Sequence, residues 1–246
     1  MTGYPPTAQY ERGYRRRRRH PLLITFIVLV VIAGLLVGAD FAARAYAESR
    51  VASQIQQQGF PKKPSVDIEG FPFLTQAISR NFHQVQLSAD DVTEGPLLIQ
   101  SIDATLDSVH VNSSYNGATV GQLTGTMDVT FGALANAMTS EADGLGSLVS
   151  GGLSLSAAGS DEVKATLNLL VASETAVWRV TRTAPLKLTL QLVSSGGVIP
   201  SSLLNSIGTI TIPLPKLPLG LSIQTVSVTP NGLVGTVNGQ NVSFGS

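Results

Sequence analysis

Acidic side chains are the first candidates for chemistry in this sequence, because paired carboxylates can act as general acid and base. Asp90 and Asp91 are adjacent within a strand-like pattern, so their side chains point to opposite faces and cannot flank one bond. Asp103 and Asp107 share one strand face, but strand geometry separates them by about 13 Å. That separation is too long for a catalytic carboxylate pair. Neither pair predicts a hydrolase.

The other reactive residue types are scarce or poorly placed. His83 and His110 could serve as bases, but both fall at strand positions where a structural histidine is the commoner outcome. The chain has 0 cysteines, which excludes thiolate catalysis, disulfides and cysteine metal sites. It has no nucleophile elbow, phosphate-binding loop or metal-ligand cluster. We expect a protein that is not an enzyme, with no catalytic residue, cofactor or metal, and a hydrolase is the least favoured alternative.

An uncharged apolar run near the N-terminus decides which solvent the rest of the chain meets. From Leu22 to Ala39 there is no charge, and about 18 helical residues are about 27 Å long, close to the hydrocarbon thickness of a bilayer. Residues 15–19 are all arginine, which predicts that residues 1–20 form a disordered basic tail in the cytoplasm. The sequence predicts a transmembrane anchor at 21–39 and an extracytoplasmic domain at 40–246.

A cleaved signal sequence is the alternative to an anchor. Two small-residue cleavage patterns follow the apolar run, at Ala43-Arg44-Ala45 and Ala45-Tyr46-Ala47. The apolar run is longer than a usual signal core, and the segment after it has the composition of a structured helix. We therefore favour the anchor, and both interpretations place the main domain outside the cytoplasm.

The charge balance differs between the two sides of the apolar run. Residues 1–20 carry six arginines and one glutamate, a balance of +5, and residues 21–246 carry ten basic and fifteen acidic side chains, a balance of −5. An acidic exterior domain does not attract nucleic acid. We expect no nucleic-acid partner, and a membrane contact through residues 21–39.

Helical and strand patterns follow in a clear order. Residues 40–59 are rich in alanine and long side chains and predict a helix with an apolar stripe. From Ser65 onward the apolar period is two, which predicts about nine amphipathic strands, with a short helix beginning at the N-cap Thr130, another over 201–207, and a hairpin turn at Asn231-Gly232. The apolar phase changes within 97–111, which predicts a β-bulge near Asp107 or Ser108.

These elements predict an α+β fold with one large antiparallel sheet. The sheet has a long face of aliphatic side chains, and the helices are too few to cover it. Such a sheet either curls on itself or leaves a groove for a hydrophobic ligand.

Several stretches carry a resemblance to a known family. They are the helix ADFAARAYAESRVASQI, the motif VDIEGFPFLTQ, the strand FHQVQLSADDV, the run IPLPKLPLGL and the closing VSVTPNGLVGTVNGQNV. In this order they resemble the actinobacterial cell-envelope phospholipid-binding family implicated in lipomannan elongation, over roughly residues 39–246.

The resemblance implies a fold like the tubular lipid-binding domains, in which a highly curved, mostly antiparallel sheet wraps a long N-terminal helix. It also implies that residues 40–246 bind phospholipid or another acyl-chain ligand in the periplasmic space and support lipomannan-type glycolipid assembly, with envelope biosynthetic enzymes as partners. A structural or docking module of the envelope without lipid cargo remains the alternative.

A small set of residues is the predicted lipid-binding site if that resemblance holds. We expect Phe71, Phe73, Leu74 and Phe82 to line the entrance of the groove and Trp178 to lie in its wall, with ordinary core packing as the competing interpretation. For the cations near these residues, a role in binding the headgroup phosphate competes with simple surface solvation, which we favour. These cations are Lys62, Lys63 and Arg80.

Overall fold

The computed structural model describes residues 21–57, 61–94, 97–142, 152–168, 173–184, 187–196, 207–213 and 223–244. The tail predicted at 1–20, most of the short helix predicted at 201–207 and most of the run IPLPKLPLGL lie outside these ranges. The described elements, in chain order, are α1 (Pro21–Gln57), β1 (Ser65–Glu69), α2 (Phe73–Ser79), β2 (Asn81–Glu94), β3 (Leu97–Val111), β4 (Ala118–Thr130), α3 (Phe131–Glu141), β5 (Leu153–Ala157), β6 (Glu162–Asn168), β7 (Ser173–Ala184), β8 (Lys187–Ser195), β9 (Thr209–Pro213), β10 (Thr225–Thr229) and β11 (Gly232–Phe244).

Helix α1 includes the apolar run. Within Thr25–Gln57 an 18-residue window has a mean hydropathy of 2.5, so the helix is long and apolar enough to cross a membrane. A signal sequence near an N-terminus meets the same criteria of length and composition. The chain divides into two compact units, Met1–Ala39 and Asp40–Ser246. The second unit contains all the described strands.

The strands form two antiparallel sheets. The first sheet has the order β1-β2-β3-β4-β11-β10, and the second has the order β5-β6-β7-β8-β9. The predicted α+β class, with a long N-terminal helix and antiparallel strands, is confirmed. The strands are shared between two sheets, where we expected one, because α3 interrupts the strand pattern after β4 and β5 to β9 then pair among themselves.

The main core lies between the two sheets and α3. It contains buried side chains from both sheets, among them Leu123, Val163, Trp178 and Leu190, and Leu134 of α3. Helix α3 begins at the predicted N-cap, where the Thr130 hydroxyl accepts a hydrogen bond from the Ala133 N–H at 3.2 Å.

A smaller apolar cluster joins α1 to the first sheet. Its buried members are Ala52 of α1, Val66 and Ile68 of β1, and Phe73 of α2. Ala43, Ala47 and Ile55 of α1 pack against these residues. Of the predicted stripe of Phe41, Ala45, Val51, Ala52 and Ile55, only Ala52 and Ile55 belong to this cluster at the β1 edge of the first sheet. Phe41, Ala45 and Val51 are exposed, because the buried face of the helix is the one that carries Ala43 and Ala47.

The predicted change of phase in β3 occurs at Ser108, but it is not a bulge. The pairing of β3 with β4 has the same register before and after this residue, with Asp107 opposite Gln122 and Val109 opposite Val120, so no residue is inserted. Ser108 instead adopts a left-handed backbone, with φ of 56°. This conformation reverses the alternation, because Leu106 and Val109 both pack on the main core although they differ in parity.

Candidate functional site

The turn that leads into α2 explains much of the GFPFLTQ motif. Gly70 has φ of 99°, a conformation that glycine adopts without steric cost, and a Cβ there would lie 2.8 Å from Nε2 of Gln76. Gln76 is buried; its Nε2 donates to the Glu69 carbonyl at 3.1 Å, and its Oε1 accepts from the His83 N–H at 3.0 Å. One buried amide therefore fixes α2 against both β1 and β2.

The first turn of α2 is capped from α1. The Asp40 carboxylate accepts hydrogen bonds from the N–H of Phe73 at 2.9 Å and of Leu74 at 2.7 Å. The residue that precedes α2 is Pro72, which makes no side-chain cap, so Asp40 satisfies donors that α2 cannot satisfy itself. Neither α2 nor this role of Asp40 was predicted from the sequence. Its only signal was a lone acid directly after the uncharged run.

Four of the five predicted lipid-binding residues lie together around α2, but in different environments. Phe73 is 5% exposed, and its ring centroid lies 6.1 Å from that of Phe82, which packs against both apolar clusters. Phe71 is 63% exposed and stacks on Phe41 with the centroids 6.2 Å apart, and Leu74 is 37% exposed. Phe71 and Leu74 therefore face outward, whereas Phe73 is a core residue.

Trp178 lies apart from these residues. It is fully buried in β7, in the core between the two sheets, and its indole N–H donates to the Ile207 carbonyl at 3.0 Å. With its polar atom satisfied and no exposed surface, Trp178 packs as an ordinary core residue.

An open cleft of about 420 Å³ lies between α2 and the adjoining ends of β2 and β3. It is lined by Thr75, Gln76, Ser79, Asn81, Phe82, His83, Ser108 and Val109. The His83 Nδ1 lies 3.0 Å from the Gln76 Oε1, and because an amide oxygen only accepts, Nδ1 carries the proton. The Ser108 hydroxyl has no hydrogen bond to His83, so the described side chains form no serine–histidine pair. The cleft can bind a polar group of moderate size.

Two of the remaining candidates for acid–base chemistry, His110 and Asp103, are engaged in local contacts. His110 Nδ1 lies 2.5 Å from the Asn81 Oδ1, and Asp103 accepts from the Ser88 hydroxyl at 2.6 Å. Within the described ranges, no group of three or more histidine, aspartate or glutamate side chains is placed to hold a metal ion.

Two of the three cations considered for a headgroup have partners. Lys62 Nζ lies 2.5 Å from an Asp91 carboxylate oxygen, and this hydrogen bond raises the pKa of Lys62 above its usual value. Lys63 donates to the Ser49 hydroxyl at 2.9 Å. Arg80, at the left-handed C-cap of α2, has a buried Nε without a hydrogen-bond partner among the described residues. Because this Nε is buried, it is not presented to a headgroup at the surface.

A second cavity lies between the two sheets and is wholly apolar in lining. Its volume is about 20 Å³, close to that of one water-sized probe. Its lining comes from β3, β4, β8, β10, β11 and a residue two positions before β10. We call this cavity the seam, and its lining residues are Leu97, Met127, Val129, Leu188, Ile223, Val226, Leu233 and Gly235. An acyl chain enters the seam only if the two sheets separate there.

Together these features define an α+β domain of two antiparallel sheets, with an apolar seam, an open cleft and apolar side chains exposed beside it. The chain belongs to the LmeA-like phospholipid-binding family, whose model matches residues 38–238. Comparison with curated proteins and with solved structures gives no match. The family match begins two residues before Asp40 and includes the cleft and the seam.

Proposed function

We propose that this chain is a membrane-anchored, extracytoplasmic phospholipid-binding protein, not an enzyme, that supports assembly of lipomannan-type glycolipids in an actinobacterial cell envelope. The observation that carries the proposal is the match of the phospholipid-binding family over residues 38–238. Envelope biosynthetic enzymes are the proposed beneficiaries of the lipid. The run of arginines at 15–19 supports an orientation with the N-terminus in the cytoplasm.

The contacts of the first residues of the domain support an anchor over a cleaved signal. Cleavage after Ala45 or Ala47 would remove Asp40, which caps α2, and Arg44, which is bonded to Glu48 and Asp67. The compact unit begins at Asp40. A cleaved chain would therefore lose part of its folded domain.

We assign the acyl chains to the seam. It joins the two sheets, and every residue that lines it is apolar or glycine. Burial stabilises an acyl chain by about 0.8 kcal/mol per methylene, so a dozen carbons contribute roughly 10 kcal/mol before the ordering costs. The headgroup would then be bound by polar side chains at the surface.

A docking module without lipid cargo is the second candidate, and the small volume of the seam favours it. At about 20 Å³ the seam does not hold an acyl chain as it stands. Lipid binding requires the sheets to part, whereas docking does not. The two functions therefore differ in whether phospholipid copurifies with the chain.

Native mass spectrometry with lipid extraction, on full-length protein purified in detergent from an actinobacterial host, tests the proposal. We expect close to one phospholipid per chain. In Val226→Asp the charge points into the half-buried end of the seam, and we expect the lipid-bound fraction to fall at least fivefold. The matched control is Ser227→Asp, which adds the same charge one residue later on an exposed side chain of β10 and should retain lipid.

Circular dichroism of both variants verifies that they remain folded. A folded wild-type protein that contains no phospholipid and takes up none from added vesicles would replace lipid binding with the docking module. Equal lipid content in the two aspartate variants would remove the seam as the acyl site.

A further inference from the structure

An exposed apolar patch surrounds α2. Two of its members, Leu74 and Ile78, lie four residues apart on the outward face of α2 and are 37% and 84% exposed. The other two are the stacked rings of Phe41 and Phe71, which are 57% and 63% exposed. We call these four residues the α2 patch. Apolar side chains clustered in this way mark a surface that contacts a partner or a membrane.

The position of Asp40 limits where the α2 patch can lie. Asp40 is bonded covalently to Ala39, the last residue of the uncharged run. Its carboxylate also lies 2.9 Å and 2.7 Å from the first two backbone nitrogens of α2. The start of α2 is therefore one side-chain length from the residue that ends the apolar run. Phe41 follows Asp40 directly and belongs to the patch.

We propose that the α2 patch docks on the surface of the same bilayer that the apolar run anchors, an inference that rests on the anchor in the proposed function. The end of a membrane span lies at the water boundary, and a group held within a few ångströms of it meets the headgroup region. Phenylalanine and aliphatic side chains on a short helix insert about 5–10 Å into that region. Within the described part of the chain the patch is uncovered, with its four members 37–84% exposed.

The patch and the cleft share α2, which gives the docking a consequence for lipid capture. Thr75, Gln76 and Ser79 of α2 line the cleft, and Leu74 and Ile78 belong to the patch. With the patch in the headgroup region, the cleft opens beside lipid headgroups.

Depth-dependent fluorescence quenching in the full-length protein tests this placement. The chain has 0 cysteines, so single-cysteine variants accept one environment-sensitive label each. The probe is a vesicle of phosphatidylcholine and phosphatidylglycerol with brominated acyl chains. We expect the label at Ile78→Cys to be quenched at least twofold more than the label at Asn231→Cys.

Asn231 is a suitable control because it lies at the opposite end of the first sheet. The Val111 N–H donates to the Arg80 carbonyl at 2.9 Å, so the ends of β3 and β4 joined by the 112–117 turn adjoin α2. The opposite end of β4, Thr130, pairs with Gly232. The length of β4 separates the two ends by about 40 Å.

A third label, at Val30→Cys in the apolar run, separates failure of the inference from failure of the anchor. Quenching at residues 30 and 78 but not at 231 supports the docked patch. Quenching at 30 alone overturns the docked patch and leaves the anchor intact. No quenching at 30 overturns both. If the label at residue 78 reports an apolar environment but is not quenched, the patch is covered by protein, such as a second copy of the chain. This result also overturns the inference.

Discussion

Single residues around α2 determine the geometry of the candidate site, and Gly70 is the clearest case. Two independent observations exclude a side chain there: its positive φ and the proximity of Gln76, whose amide is held at both ends. A Cβ would strain the backbone and also displace the amide that joins β1 to β2. Gly70 thus fixes α2 at the edge of the first sheet.

Gly70→Ala is expected to destabilise the protein by about 1–3 kcal/mol, the usual range for a strained backbone conformation. Thermal unfolding followed by the fluorescence of Trp178 measures the change, because Trp178 is the sole tryptophan and is fully buried. A loss of 1 kcal/mol lowers Tm by roughly 2–4 °C in a chain of this size.

Gly159→Ala is the matched control for this prediction. Gly159 is a described residue whose φ is not positive. A Cβ there would lie 3.8 Å from the nearest atom, in ordinary van der Waals contact. Its Tm should stay within about 1–2 °C of wild type. Equal effects of the two substitutions would contradict the strain that we assign to Gly70.

At the scale of elements, α1 and β1 are joined by a polar clamp beside their apolar contacts. Glu48 Oε1 accepts from the Arg44 Nε at 2.8 Å and from the backbone N–H of Ile68 at 2.9 Å. Arg44 also pairs with Asp67 of β1. Because β1 is an edge strand, the Ile68 N–H has no neighbouring strand on that side, and Glu48 provides its acceptor.

Glu48→Ala should lower the free energy of unfolding by about 1–3 kcal/mol, because it leaves a part-buried backbone donor without an acceptor. We also expect the substitution to accelerate amide hydrogen exchange in β1, and to accelerate it less in β3, which lies two strands further into the sheet. Glu141→Ala, an exposed acid in α3, is the control and should change neither quantity. Unchanged exchange in β1 would contradict a clamp on that edge.

Local sequence patterns predicted most of the elements. They failed for elements whose formation depends on tertiary contacts. Alternation predicted the strands of the first sheet, Thr130 capped α3 as expected, and the Asn231-Gly232 turn joins β10 and β11. Helix α2 was missed because its cap comes from Asp40, 33 residues before Phe73. Strand β9 was not predicted because the three prolines of the run that begins at Ile212 exclude a central strand. The strand lies at a sheet edge, where its terminal Pro213 is tolerated.

At the scale of the whole molecule, the sequence did not indicate which way the residues around α2 point. Phe71 and Phe73 are two residues apart in a motif without a regular period, and their exposures of 63% and 5% depend on the α1 contacts. The division into two sheets was equally invisible, because strand patterns show a buried face without showing its partner. The family match over 38–238 therefore adds what periodicity cannot: the class of ligand.

The folded domain and the apolar run should remain one chain in the mature protein. The small-residue patterns at 43–45 and 45–47 lie inside the compact unit that begins at Asp40, in a helical segment whose side chains contact β1 and α2. Cleavage there would remove Asp40 and Arg44, whose side chains bond to α2 and β1. We expect the intact mass of protein isolated from the membrane fraction to include residues 21–47. A mature N-terminus at Tyr46 or Glu48 would contradict the anchor, and with it the docking of the α2 patch, since Asp40 and Phe41 would be lost.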